Sequence, residues 1–149
     1  MTAPDAGDAP DAAVPAGWLE ARCHCGGVRL AVRGRPASVL ICNCSICARK
    51  GYLHWIVPVA DTRLLTDAAA LATYGFGTGV ARHHFCPRCG CAPFYVPRSD
   101  PDKVDVNLRC VDGVDLEALP LRTFDGRDWE RSFVTYAARR DRGDDPDVG

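Results

Sequence analysis

Nine cysteines constrain this 149-residue chain more than any other feature. They fall in three tight clusters, C-x-C at 23–25, C-x-C-x-x-C at 42–47 and C-x-x-C-x-C at 86–91, with Cys110 apart. An odd count fits poorly with a closed disulfide framework. The opening residues MTAPDAGDAPDAAVPAG lack the basic and apolar regions of a secretory signal, so a cytoplasmic, reducing setting is expected, where stable disulfides are rare. Clustered thiols in such a setting point to metal.

The spacing divides the thiols into two sets. Cys23 and Cys25 share one loop, and Cys86 and Cys89 form a C-P-R-C-G knuckle. Together they make a complete tetrahedral thiolate set for a structural zinc that would staple two distant parts of the chain. Cys42, Cys44 and Cys47 supply three thiolates from one stretch. Three protein ligands and one further position is the pattern of a reactive zinc. The fourth place could be water, a substrate thiol, or a cysteine, with Cys91 and Cys110 as candidates. Closure by Cys91 would make a second structural zinc instead. The spacings do not match the usual iron–sulfur motifs.

Length and composition fit one globular domain, with 47% hydrophobic and 25% charged residues. No apolar run approaches the roughly 20 residues of a membrane helix. Residues 1–17 carry three acids and no base, and residues 139–149 read RRDRGDDPDVG; both are expected to be disordered tails around a domain at 18–138. The net charge of −1 and the lack of any Lys/Arg-rich run make nucleic acid an improbable partner.

Between the tails the patterning is β. Val28–Val32 alternates; Ser38–Cys42, Tyr52–Val59, Phe94–Val96 and Val104–Leu108 read as strands, and 71–76 with 80–85 as a hairpin around GTG. Helix signals are short: Ser45 as a cap for Ile46–Lys50 closed by Gly51, and single turns near 66–71 and 114–119. An all-β domain with thiol-bearing loops is predicted.

Several other residues have candidate roles. His54 is the nearest imidazole in sequence to the three-thiol cluster and a candidate proton donor, though it also suits a strand. His24 lies between two proposed ligands and should point away. His83 and His84 read as strand residues or as groups supporting the ligands. Arg49, Lys50, Arg98 and Arg109 could pair with substrate carboxylates, with plain solvation as the alternative for each. Trp55 and Tyr95 could wall a pocket or pack in the core.

The motifs C-H-C-G-G-V at 23–28, C-N-C-S-I-C at 42–47 and F-C-P-R-C-G at 85–90 resemble the glutathione-dependent formaldehyde-activating enzyme family. H-W-I-V-P at 54–58, F-Y-V-P-R-S-D-P at 94–101 and F-D-G-R-D-W-E at 124–130 look closest to its centromere protein V branch. The resemblance, over roughly residues 18–131, implies an Mss4-like tent of antiparallel sheets. It implies a structural zinc on Cys23, Cys25, Cys86 and Cys89. It also implies a catalytic-type zinc on Cys42, Cys44 and Cys47 that takes the thiol of glutathione. The implied reaction is of the carbon–sulfur lyase class, joining glutathione and formaldehyde as S-hydroxymethylglutathione. A non-catalytic, zinc-stapled module binding a protein or nucleic acid is the alternative.

Overall fold

A computed structural model describes residues 12–145. Most of the first expected tail therefore lies outside the described residues, as do residues 146–149 of the second. Among the described residues, ten short strands form three sheets. The first sheet orders β1 (Leu19–Arg22), β2 (Arg29–Val32) and β5 (Thr62–Leu64), all antiparallel. The second orders β10 (Leu121–Phe124), β3 (Val39–Cys42), β4 (Leu53–Pro58), β9 (Lys103–Asn107) and β8 (Phe94–Tyr95). Its pairs are antiparallel except β10 with β3, which run parallel. A two-stranded ribbon joins β6 (Ala72–Tyr74) to β7 (His83–Phe85). The architecture is the small all-β, Mss4-like arrangement of mainly antiparallel sheets.

Alternation along the second sheet decides what the molecule can do. Side chains at i and i+2 share a face. Val39, Leu53, Trp55, Val57, Phe94 and Val106 face the first sheet, where they meet Leu19, Leu30 and Val32 in one buried core. The intervening residues, Leu40, Cys42, His54, Ile56, Tyr95 and Asp105, face the other way. Register keeps them together: Leu40 pairs with His54, Ile56 with Asp105, Tyr95 with Asp105, and Cys42 with Phe124. Trp55 is thus a core residue, and Tyr95 lies on the opposite face.

Two differences from the sequence reading concern helices. The cap of α1 (Ser45–Lys50) is Cys44, whose sulfur accepts from the Cys47 amide; Ser45 is already helical. Gly51 does close the helix in the left-handed region at φ 62°, its amide bonding to the Cys47 carbonyl. The chain is also not a tail from residue 139. Helix α2 (Trp129–Asp141) crosses that boundary. Trp129, Phe133, Tyr136 and Arg140 recur at helical spacing and turn inward: Trp129 stacks on Phe133 at 4.5 Å, and Tyr136 meets Phe124 edge-on at 6.0 Å. The fully buried Asp100 carboxylate accepts from the Tyr136 hydroxyl and, at 3.2 Å, from Arg140. A short amphipathic helix beside a buried acceptor gains docking energy that composition alone does not reveal.

Candidate metal centres and the adjoining pocket

Seven of the nine cysteines gather at two places. Ligand atoms of Cys23, Cys25, Cys86 and Cys89 lie within 4.8 Å of one another, as do those of Cys42, Cys44 and Cys47. None of the nine cysteines is in a disulfide.

The four-thiol group bridges the β1–β2 turn and the loop after β7. Cys23 and Cys86 are each 1% exposed. Backbone amides support the sulfurs: Val28 N–H donates to Cys23 Sγ at 3.2 Å, and Gly27 N–H to Cys25 Sγ at 3.4 Å. Cys25 Sγ is 3.6 Å from Cys23 Sγ and 3.5 Å from Cys86 Sγ. Burial pushes the Cys23 thiol up to about 12 and raises that of Cys86. At Cys89 burial acts in the same direction, but hydrogen bonds from the amides of Cys25 and Cys91 and from the Cys86 and Cys23 thiols together outweigh it and the value falls to about 6. Four soft donors at tetrahedral spacing, tied by amides, could hold zinc.

The three-thiol group sits where β3 hands over to α1. Cys44 N–H donates to Cys42 Sγ at 3.4 Å, and Cys47 N–H to Cys44 Sγ at 3.5 Å. Hydrogen bonds from the Cys42 and Cys47 thiols hold Cys44 far below the ordinary thiol range. Its partners move up, Cys42 through sharing with Cys44 and Cys47 through both neighbours and burial. Three sulfurs this close cannot all ionise without a cation among them. A dication in the same space would replace the thiol protons and hold three thiolates, so the donor set fits zinc. Among the described residues no fourth Cys, His, Asp or Glu joins this group. Cys91 and Cys110 lie on the four-thiol side: the Cys91 carbonyl accepts from Cys86 N–H, and Cys110 Sγ is 3.9 Å from the Ala92 carbonyl.

The three thiols open on a cavity of about 560 Å³. Its floor is the outer face of the five-stranded sheet, with Leu40, His54, Ile56, Tyr95 and Asp105. The two-stranded ribbon forms a second side, through Phe76 in its loop and His83 at the start of β7. A third side comes from residues 124–136, through Phe124, Gly126, Arg127 and Trp129. Asn43 clamps this last segment to the thiols. It accepts from Arg127 N–H at 3.1 Å and donates to the Asp125 carboxylate at 2.9 Å, holding that acid below its usual range. The approach at Gly126 is so close that a Cβ there would lie 2.4 Å from Cys42 Sγ and 2.7 Å from Cys44 Cβ. Only glycine fits.

The predicted accessory residues divide by position. His54 is 3% exposed, its Nδ1 2.7 Å from the Asp105 carboxylate. His83 is 4% exposed and stacks on Tyr95 at 4.8 Å; burial lowers it to about 4. His84 bonds Thr73 at the ribbon, and His24 is exposed. Arg98 reaches the cavity, its guanidinium 3.7 Å above the Trp129 ring. Arg49 and Arg109 instead donate to the Ser45 and Gly51 carbonyls. Half-burial lowers the Lys50 ammonium, against the opposing pull of Cys47. Asn43, Asp105 and Gly126 escaped the sequence reading. The first lies inside C-N-C and the last inside F-D-G-R, so both stood within motifs already singled out. Asp105 looked like an outward strand residue.

Comparison with known proteins identifies the family. The family model for the glutathione-dependent formaldehyde-activating enzyme matches residues 18–123. A crystal structure of a Rhodobacter sphaeroides protein is similar, with a TM-score of 0.62 and 34% identity, covering 68% of this chain and 98% of that one. The chain belongs to the glutathione-dependent formaldehyde-activating enzyme family.

Proposed function

We propose that this family member is a zinc-dependent enzyme of the carbon–sulfur lyase type. Its substrates would be glutathione and a small aldehyde, joined as, or released from, an S-hydroxymethylglutathione-type adduct. One observation carries the reading: three thiols with no fourth protein donor among the described residues open on a cavity, while the complete four-thiol set is packed against the core. The first arrangement suits chemistry and the second suits stability. A cytoplasmic location accords with a need for reduced thiols; among the described residues no helix is long and apolar enough to cross a membrane.

Cys23, Cys25, Cys86 and Cys89 would hold the structural zinc, and Cys42, Cys44 and Cys47 the reactive one. Zinc at the second site, when bound, supplies the Lewis acidity that keeps an incoming thiol ionised near neutral pH. The chain's own residues do the rest. The cavity walls orient a thiol and a carbonyl compound together, which removes much of the entropic cost of a two-molecule reaction. Arg98, fixed flat against Trp129, offers a guanidinium at the rim for a substrate carboxylate. Phe76, Phe124 and Trp129 give the cavity apolar walls.

The experiment is a two-part titration of the zinc-loaded full chain. Metal analysis should give two zinc ions per chain, and calorimetry should detect glutathione binding that S-methylglutathione, with its sulfur blocked, does not reproduce. Exchange spectroscopy with ¹³C-formaldehyde should show faster formation and breakdown of the adduct than in buffer. No heat at millimolar glutathione, together with exchange at the buffer rate, refutes the reading.

A further inference from the structure

His54 occupies an unusual place. It lies mid-strand on β4, on the cavity face, with Leu40 opposite on one side and Asn107 on the other. Asp105, two pairs along β9 and so on the same face, is 1% exposed and directs Oδ2 to His54 Nδ1 at 2.7 Å. Its other oxygen accepts the Trp55 amide at 3.2 Å. A carboxylate occupied in this way fixes the proton of a neutral imidazole on Nδ1 and leaves Nε2 with a lone pair. That Nε2 is the one buried side-chain nitrogen or oxygen without a hydrogen-bond partner among the described residues.

An orphaned buried nitrogen costs about 1–3 kcal/mol, and a role limited to tying β4 to β9 would not require it. The backbone ladder over residues 54–58 and 103–107 already makes that connection. The position of His54 relative to the thiols is set by register. Cys42 is the diagonal neighbour of His54 on β3, so their Cα atoms are about 7–8 Å apart. A polar atom that lacks a partner, on the floor of the cavity that the three thiols also line, is placed for a partner that arrives with substrate.

We propose that His54 is the proton-transfer residue of this site and that Asp105 is its positioning residue, an inference that rests on the thiol–aldehyde reading above. The proton balance closes without any further reagent. The S–H proton of the thiol passes to His54 Nε2, directly or through one water. The resulting imidazolium is paired with the Asp105 carboxylate. The thiolate sulfur bonds to the carbonyl carbon, and the C=O π pair moves onto oxygen. His54 Nε2–H then protonates that oxygen, giving the S-hydroxyalkyl product and a neutral histidine. Adduct breakdown runs the same steps backwards.

The test compares the zinc-loaded wild type with His54→Gln and Asp105→Asn. The rate of ¹³C-formaldehyde exchange with glutathione, the calorimetric glutathione affinity, and the ¹⁵N spectrum of the histidine rings are recorded. Each variant should lower the protein-catalysed exchange rate by on the order of 10²-fold while glutathione affinity stays within about twofold. In the wild type, His54 should carry its proton on Nδ1, and its Nε2 signal should move when glutathione and formaldehyde are added. Wild-type exchange rates in both variants overturn the proposal and leave the functional reading standing. So does an affinity loss as large as the rate loss, which would mark a purely structural pair. If His54→Gln does not fold, Asp105→Asn and the ring spectrum decide, and a proton on Nε2 in the free protein overturns the assignment. A wild type that does not accelerate exchange overturns the functional reading and this inference together.

Discussion

Gly126→Ala is the smallest change that should separate the two metal centres. The added methyl carbon would stand 2.4 Å from Cys42 Sγ, 2.7 Å from Cys44 Cβ and 3.1 Å from the Cys44 nitrogen. Carbon atoms in good contact sit at about 3.5–4.0 Å, and sulfur is larger, so the segments must part by more than about 1 Å. Neither can retreat freely. Asn43 is bonded to Asp125 and to the Arg127 amide, and its own amide donates to the Phe124 carbonyl at 3.4 Å. Overpacking of this kind costs about 1–3 kcal/mol in stability. Its functional cost should be larger, because a displacement near 1 Å at reacting groups can lower a rate about 10²-fold. The core between the sheets and the four-thiol group share no residue with the collision. Zinc competition with a chelator of graded affinity, alongside a thermal melt, reads both effects. The variant should surrender one zinc far more readily than the wild type, keep the other, and melt a few degrees lower. Retention of both zinc ions with wild-type competition curves would refute the placement of residue 126 over the thiols.

Two further outcomes follow from the same geometry. Cys86→Ser removes one ligand of a buried four-donor set and should unfold the domain, whereas Cys44→Ser should leave a cooperative melt and abolish adduct exchange; the reverse ranking by calorimetric scanning and exchange rates would reassign the two clusters. His83 falls to about 4 on burial, below its unfolded value near 6.5, so the unfolded chain binds more protons between these limits. Stability from this group is full above about 6.5 and is lost as pH drops towards 4, at up to about 1.4 kcal/mol per pH unit. His83→Phe, which keeps the stack on Tyr95, should flatten the wild-type slope of denaturant stability over that window; an unchanged slope refutes the buried-neutral histidine.

Much of the fold was legible because strand periodicity and thiol spacing are local signals. Val39–Cys42, Leu53–Pro58 and Lys103–Asn107 form where apolar and β-branched residues concentrate, and α1 ends at Gly51 as its left-handed conformation requires. The grouping of Cys23 and Cys25 near Cys86 and Cys89 is long-range, but a knuckle spacing announces its need for a second pair. The α1 cap was misread because serine is the usual capping side chain, whereas here the Cys44 sulfur takes that position. Helix α2 was hidden by its charged C-terminal end: the composition of residues 139–145 looks like solvated chain, while its order depends on a buried carboxylate at Asp100 almost forty positions earlier.

That same long-range dependence separates two kinds of information in the site. Cys42, Cys44, Cys47, His54, Tyr95 and Asp105 all lie within the matched family region, on strands or a helix whose register is fixed by the core behind them. Phe124, Gly126, Arg127 and Trp129 follow the matched region; Phe124 is held by its pairing with Cys42 at the sheet edge, and the other three are held at the cavity through Asn43 and through the docking of α2 on Asp100. Reacting groups need positions good to a fraction of an ångström, which a hydrogen-bonded sheet supplies. A wall that selects among substrates needs only shape and charge, and can be carried by a helix docked through one buried acid. The thiols and the proposed His54–Asp105 pair therefore belong to the sheet-anchored part of the molecule, and helix α2 from Trp129 onward, beyond the tight contact of Gly126 with Cys42 and Cys44, is where a change in substrate can be made with least disturbance of the chemistry.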